Sequence, residues 1–145
     1  MFTHILMPTD GSKLSEVAIL KGMRFAKEAH ATVTGICVVP EFHTATVETM
    51  TLTDSKEMYL ADGRERAERY LAAMQKVAAE ERVPFSPLVE VSDRPYEVIA
   101  KTAESKGCDL ILMASHGRGG VQGLLLGSVA QKVLSHSKIP VLVYR

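Results

Sequence analysis

Asp109-Leu110-Ile111-Leu112-Met113-Ala114-Ser115-His116-Gly117-Arg118-Gly119-Gly120-Val121-Gln122-Gly123-Leu124-Leu125-Leu126-Gly127-Ser128-Val129-Ala130-Gln131-Lys132-Val133-Leu134 is the stretch that carries most about how this chain folds. A short apolar run gives way to glycines, and the glycines lead into a segment with helical spacing, so the order is strand, loop, helix start. Glycines let a backbone approach a ligand and take positive φ, while the first turn of a helix offers unpaired N–H groups at the positive end of its dipole. Together these make an anion site, above all for phosphate.

The same alternation runs outward through the chain. Apolar or β-branched runs predict strands at residues 4–7, 32–39, 84–91, 109–114 and 140–144. Helical spacing predicts helices at 14–30, 53–82, 95–106 and 128–137. The first helix presents Val17, Ala18, Leu20, Met23, Phe25 and Ala26 as its apolar positions, with Ser12 or Ser15 as cap. The second sets Ala67, Tyr70, Leu71, Met74, Val77 and Ala78 against Arg64, Glu65, Glu68 and Arg69. Residues 41–52 are threonine-rich without a clear period, which fits either a lid or a plain surface connection. Strands alternating with helices imply an α/β fold with right-handed crossovers and a parallel sheet covered by helices on both faces. Ligands of such sheets sit beyond the carboxyl ends of the strands at a topological switch point, where Pro8, Thr9, Asp10, Val38, Met113 and Ala114 fall.

Size and composition bound the function. With 145 residues the chain reads as one domain spanning 1–145. Lys plus Arg and Asp plus Glu both number 17, with no long run of one sign, which argues against nonspecific nucleic-acid binding. No apolar run approaches the roughly 20 residues of a membrane span, and Met1-Phe2-Thr3-His4 does not open a leader, so a cytoplasmic protein without a membrane partner is expected. Cys37 and Cys108 sit in apolar surroundings as small hydrophobes. Met7, Met23, Met58, Met74 and Met113 read as core filler, and no two histidines stand at a metal-ligand spacing, so no protein metal site is expected.

Two phosphate motifs fail against the string. Gly-Lys-Ser or Gly-Lys-Thr occurs nowhere, which removes the P-loop, and Gly117 and Gly119 are followed by Gln122 where the dinucleotide pattern needs glycine. Instead Gly117 is followed, after nine residues, by Gly127-Ser128 at the predicted helix start. This spacing resembles the universal stress protein family, whose nucleotide-binding members carry G-x-x-G-x9-G-[ST] after the fourth strand. Ala114, Gly117, Gly127 and Ser128 occupy those positions, so three of four match. The resemblance extends from Ile5-Leu6-Met7-Pro8-Thr9-Asp10-Gly11-Ser12 through Gly35-Ile36-Cys37-Val38-Val39-Pro40 to Ile139-Pro140-Val141-Leu142-Val143-Tyr144.

The resemblance implies the adenine-nucleotide α-hydrolase type of fold, a five-stranded parallel sheet in the order 3-2-1-4-5, with ATP, accompanied by Mg, as ligand. Carried over by position, Val38 and Met113 would line an adenine pocket with Pro8 and Thr9 nearby, and Asp10 would approach the ribose or a metal. Gly117, Gly127, Ser128 and Val129 would offer backbone N–H groups to phosphate, and Arg118 would either offset its charge or stand solvated. Ala114 departs from the pattern's first glycine, which matters only if that position needs positive φ or very close approach. The function implied is a nucleotide-dependent stress-response module with at most slow hydrolysis, forming a homodimer through the last strand and serving an unidentified protein partner. A nucleotide-free dimer acting through partners is the alternative. An adenylating enzyme of the same fold is disfavoured, because Pro8-Thr9-Asp10-Gly11-Ser12 stands where such relatives carry S-G-G-x-D-S or H-x-G-H.

Overall fold

The computed structural model of the chain describes residues 1–43, 52–117 and 126–145. The elements are β1 (His4–Pro8), α1 (Lys13–Glu28), β2 (Thr32–Val39), α2 (Leu52–Glu81), β3 (Phe85–Val91), α3 (Pro95–Ser105), β4 (Leu110–Ala114), α4 (Ser128–His136) and β5 (Val141–Tyr144). Each expected strand and helix is present, with ends displaced by no more than two residues. All strand pairs are parallel, in the order β3-β2-β1-β4-β5. The expected segment at 41–52 lies largely outside the described residues.

Alternation along β1 shows how the sheet is covered. Ile5 and Met7 point into a core shared with Met23 of α1 and Leu71 and Met74 of α2, whereas Leu6 joins Ile36, Ile99 of α3, Ile111 and Val133 of α4 on the other face. Both faces are therefore dry, which is why the central strands read as continuous apolar runs. Burying each such side chain contributes about 1.5–3 kcal/mol against full exposure.

The expected apolar face of α1 needs correcting. Val17 and Leu20 are 43% and 38% exposed, and the helix seats instead on Ser15, Ala18, Ile19, Gly22, Met23 and Ala26. The reason is the closeness of the helix to the sheet, since a Cβ on Gly22 would stand 2.8 Å from Met7 Cε and 2.9 Å from Leu112 Cδ2. Small residues face the sheet for steric reasons that a hydrophobicity pattern does not register. Met58 also departs from expectation, being 53% exposed on α2, while Met7, Met23, Met74 and Met113 are core. Of the two candidate caps, Ser12 serves, its Oγ accepting the Ser15 N–H at 3.2 Å.

Three helices reverse into the following strand by one device. His30, Arg82 and Gly107 take φ of 54°, 61° and 68°, and the next residue's N–H returns to the helix: Ala31 to Ala26 O, Val83 to Ala78 O and Cys108 to Ala103 O, each 2.8 Å. Burial pushes the Cys108 thiol up to about 11, so it stays protonated and packs as a hydrophobe. Beside it Asp109 ties the start of β4 to that of β1, accepting from Thr3 N and Thr3 Oγ at 2.8 Å and from His4 N at 3.0 Å. Among the described residues no helix is long and apolar enough to cross a membrane.

Candidate functional site

Strand order dictates where a cleft opens. β1 has β2 on one side and β4 on the other, so the chain leaving β1 and the chain leaving β4 turn to opposite faces and part at their carboxyl ends. A cavity of about 510 Å³ lies there, within the usual range for small-molecule sites. Its walls include Pro8, Thr9 and Asp10 after β1, Val38 of β2, Met113 and Ala114 of β4, and Gly117, Gly127, Ser128 and Val129 around the start of α4. Arg118, the remaining expected site residue, lies outside the described residues.

The β1 exit is a rigid turn. Thr9 N–H bonds Ile36 O at 2.9 Å, Thr9 Oγ1 accepts from Gly11 N at 3.2 Å and from Ser15 Oγ at 3.1 Å, and Asp10 Oδ1 accepts from Ser12 N at 2.9 Å. Gly11 has φ +75°, and a Cβ there would fall into the ring of Tyr70, which reaches across from α2. Asp10 therefore does hold the turn before α1, while its other carboxylate oxygen faces the second loop. A Cβ on Gly117 would fall on that oxygen and stand 3.3 Å from Asp10 Cγ. Glycine at 117 is what lets the carboxylate lie against the backbone.

The β4 exit corrects one inferred role. Gly127 lines the cleft, but its N–H is committed to Ser115 O at 2.6 Å and is not available to a ligand. Gly127 is the α4 N-cap, it supplies no side-chain cap bond, and the first bond into the helix comes from Gln131 N at 3.0 Å. The N–H groups of Ser128, Val129 and Ala130 consequently have no partner within the helix and lie at its positive end. Ala114 sits in β4 opposite Tyr144 and is not among the described residues with positive φ. A glycine's freedom is not required there, so the departure from the family pattern does not disturb the backbone.

Several lining residues escaped the sequence reading. Ile36, Pro95 and Ile99 join Val38 and Met113 to make one part of the cleft apolar, and Ser15, Ser115 and Ala130 complete the wall near the turns and α4. His116, which flanks Gly117 in the sequence, also lines the cleft. Ile36 and Ile99 are core residues, 0% and 2% exposed, and meet the cavity only as its packed floor, which contiguous sequence does not disclose. A different group assembles at the exits of β2 and β3: Glu41, His43 and Asp93, all exposed and none among the cleft-lining residues. His43 Nε2 pairs with Asp93 Oδ2, and this bond, followed by that from Glu41 N, holds the Asp93 carboxyl below its ordinary range. A search for paired histidines along the sequence does not reveal it.

The fold defines the class: an adenine-nucleotide α-hydrolase-like domain, doubly wound, with a cleft at the β1/β4 switch point. The universal stress protein family matches residues 1–145, and the chain belongs to that family. It is 32% identical over 145 residues to universal stress protein MJ0531 of Methanocaldococcus jannaschii, covering all of this chain and 83% of that one. Matches to longer mycobacterial relatives take in 27% of their length. Among solved structures, MJ0577 of the same archaeon superposes with a TM-score of 0.85 at 28% identity, covering 99% of this chain and 95% of that one. A universal stress protein solved in complex with cAMP shares the fold, with a TM-score of 0.69 at 20% identity and coverage of 99% and 97%.

Proposed function

We propose that residues 1–145 act as one cytoplasmic domain that binds ATP with Mg and serves as a nucleotide-dependent regulatory module. One observation carries the reading: a single cleft joins an apolar part, made by Ile36, Val38, Ile99 and Met113, to the uncapped amino end of α4. A flat apolar base fits the first, and phosphate oxygens fit the free N–H groups of the second. The relative solved with cAMP lends support to a nucleotide as the occupant. Among the described lining residues Asp10 is the sole carboxylate, so a Mg ion would take its ligands mainly from phosphate and water, as that ion usually does.

Hydrolysis needs a positioned water in line with the γ-phosphate and a group to orient it. Asp10 Oδ1 already accepts from Ser12 N and the carboxylate lies against the backbone at Gly117, and turnover that is slow at most belongs to this reading. The homodimer belongs to the same reading. β5 pairs only with β4 among the described residues, and its Leu142 is 42% exposed, so the open edge invites a second copy.

Calorimetric titration with ATP, ADP, cAMP and adenosine tests the proposal. Saturable ATP binding at micromolar concentration is expected. No binding of any of the four, together with no adenine nucleotide in the mass spectrum of gently purified protein, would favour the nucleotide-free dimer instead.

A further inference from the structure

Among the described residues one buried side-chain nitrogen or oxygen has no hydrogen-bond partner, Nε2 of His116. A buried polar atom left unpaired costs folding free energy, so such an atom calls for a partner from outside the chain or a role that offsets the cost. His116 follows directly on β4 and lines the cleft beside Gly117, Gly127 and Ser128. Its Cδ2, the ring atom bonded to Nε2, lies 3.8 Å from where a Cβ on Gly127 would stand, so this edge of the ring borders the amino end of α4. The other ring nitrogen is engaged, with Nδ1 3.0 Å from Oγ of Ser115, a residue 2% exposed. The hydroxyl can donate to Nδ1 or accept from it. In the tautomer where it donates, the ring proton sits on Nε2, which is then a donor without an acceptor, and this is the tautomer an anionic ligand would select.

The backbone sharpens the point. Because Gly127 N–H is spent on Ser115 O, the loop has one donor fewer for an anion at this place, and the imidazole edge stands beside the gap. Resting on the nucleotide reading above, we propose that His116 Nε2–H donates to an anionic phosphate oxygen of the bound nucleotide and thereby makes the site discriminate between phosphorylated ligand and bare nucleoside. A hydrogen bond to an ionised acceptor is roughly twice as strong as one between neutral groups, so a single such donor suffices for a measurable preference.

The test uses two variants of the full chain. His116→Phe keeps a planar ring of similar size without a polar atom, and His116→Gln places an amide nitrogen where Nε2 stands. Wild type and both variants are titrated with ATP and with adenosine, and their melting is followed without ligand. In His116→Phe, ATP affinity is expected to fall about tenfold or more while adenosine affinity is unchanged. The ligand-free melting temperature should be equal or higher, since the unpaired atom is gone, and His116→Gln should regain most of the ATP affinity. Unchanged ATP affinity in His116→Phe overturns the assignment. An equal loss for ATP and adenosine, or a lowered melting temperature with both lost, marks a structural role and overturns it as well. Wild type binding adenosine but not ATP removes the phosphate contact alone, whereas wild type binding neither removes the nucleotide reading itself.

Discussion

The backbone N–H of Gly127 donates to the carbonyl of Ser115 at 2.6 Å, so the residue that opens α4 is fastened to the one that follows β4. A chain segment that leaves the sheet at Ser115 thus comes back to its starting point before the helix begins. Ser115 is itself held, its N–H bonding Tyr144 O of β5 at 2.7 Å. The amino end of α4 is in this way indexed to the sheet, which fixes where its free N–H groups point.

Substitution at Gly127 should therefore be graded by size. A Cβ there would stand 3.1 Å from Ser115 O and 3.3 Å from His116 Cα, which alanine meets with a shift of a few tenths of an ångström and a branched side chain does not. Gly127→Ala is expected to retain ATP binding within a few-fold, and Gly127→Val to abolish it while the chain remains folded by circular dichroism. Calorimetry decides, and a folded Gly127→Val variant with native affinity would place the site elsewhere.

At Gly117 the neighbour is the Asp10 carboxylate, so the two positions should be coupled. Gly117→Ala pushes Asp10 from its place against the loop and is expected to weaken ATP binding. In Asp10→Ala the obstacle is gone, and adding Gly117→Ala to that background should have little further effect. Contacting residues in double-mutant cycles show interaction energies of about 0.5–3 kcal/mol, and strict additivity of the two changes would deny the contact.

Stability should depend on acid through Asp109. Burial pushes its carboxyl upward, but the bonds from Thr3 N, His4 N and Thr3 Oγ outweigh this and hold it below the ordinary 3.8. A depressed carboxylate stabilises the folded state above its unfolded pKa, and the contribution is lost as pH falls through the lower folded value. Glu81, held down first by the hydrogen bond from Lys27 and then by that from Arg24, acts in the same sense from 4.5. Urea midpoints should show Asp109→Asn weaker than wild type by about 1 kcal/mol at neutral pH, a low figure because water reaches the group. The difference should close below pH 4, and a gap that persists at pH 2 would contradict the linkage.

The edge of β5 makes a separate expectation. Leu142→Glu introduces a charge on an exposed strand that pairs only with β4 among the described residues. Sedimentation should give a dimer for wild type at micromolar concentration and a monomer for the variant, each with native circular dichroism. A monomeric wild type would remove the dimer from the reading.

Much of the fold was legible because its signals are local. The apolar run Leu110-Ile111-Leu112-Met113, the helical spacing of Ala67, Leu71, Met74 and Ala78, and the caps and turns between elements each need only neighbouring residues to be read. The spacing from Gly117 to Gly127-Ser128 likewise located the loop and the helix start without any coordinates. What misled was distance across the fold. Val17 and Leu20 looked like core because hydrophobicity was counted along α1, whereas Gly22 faces the sheet because Met7 and Leu112 leave no room for a larger residue.

By itself the sequence determined the alternation of strands and helices, the family and the spacing of the glycine-rich loop, since propensity, periodicity and motif spacing are properties of contiguous chain. Tertiary structure decided how those parts are used. It gave the Gly127 N–H to Ser115, set the Asp10 carboxylate against Gly117, excused Ala114 from needing a glycine's freedom and left His116 Nε2 buried without a partner. Each of these is a matter of which atoms lie within bonding or van der Waals reach, and only the packed sheet brings together residues that far apart in sequence.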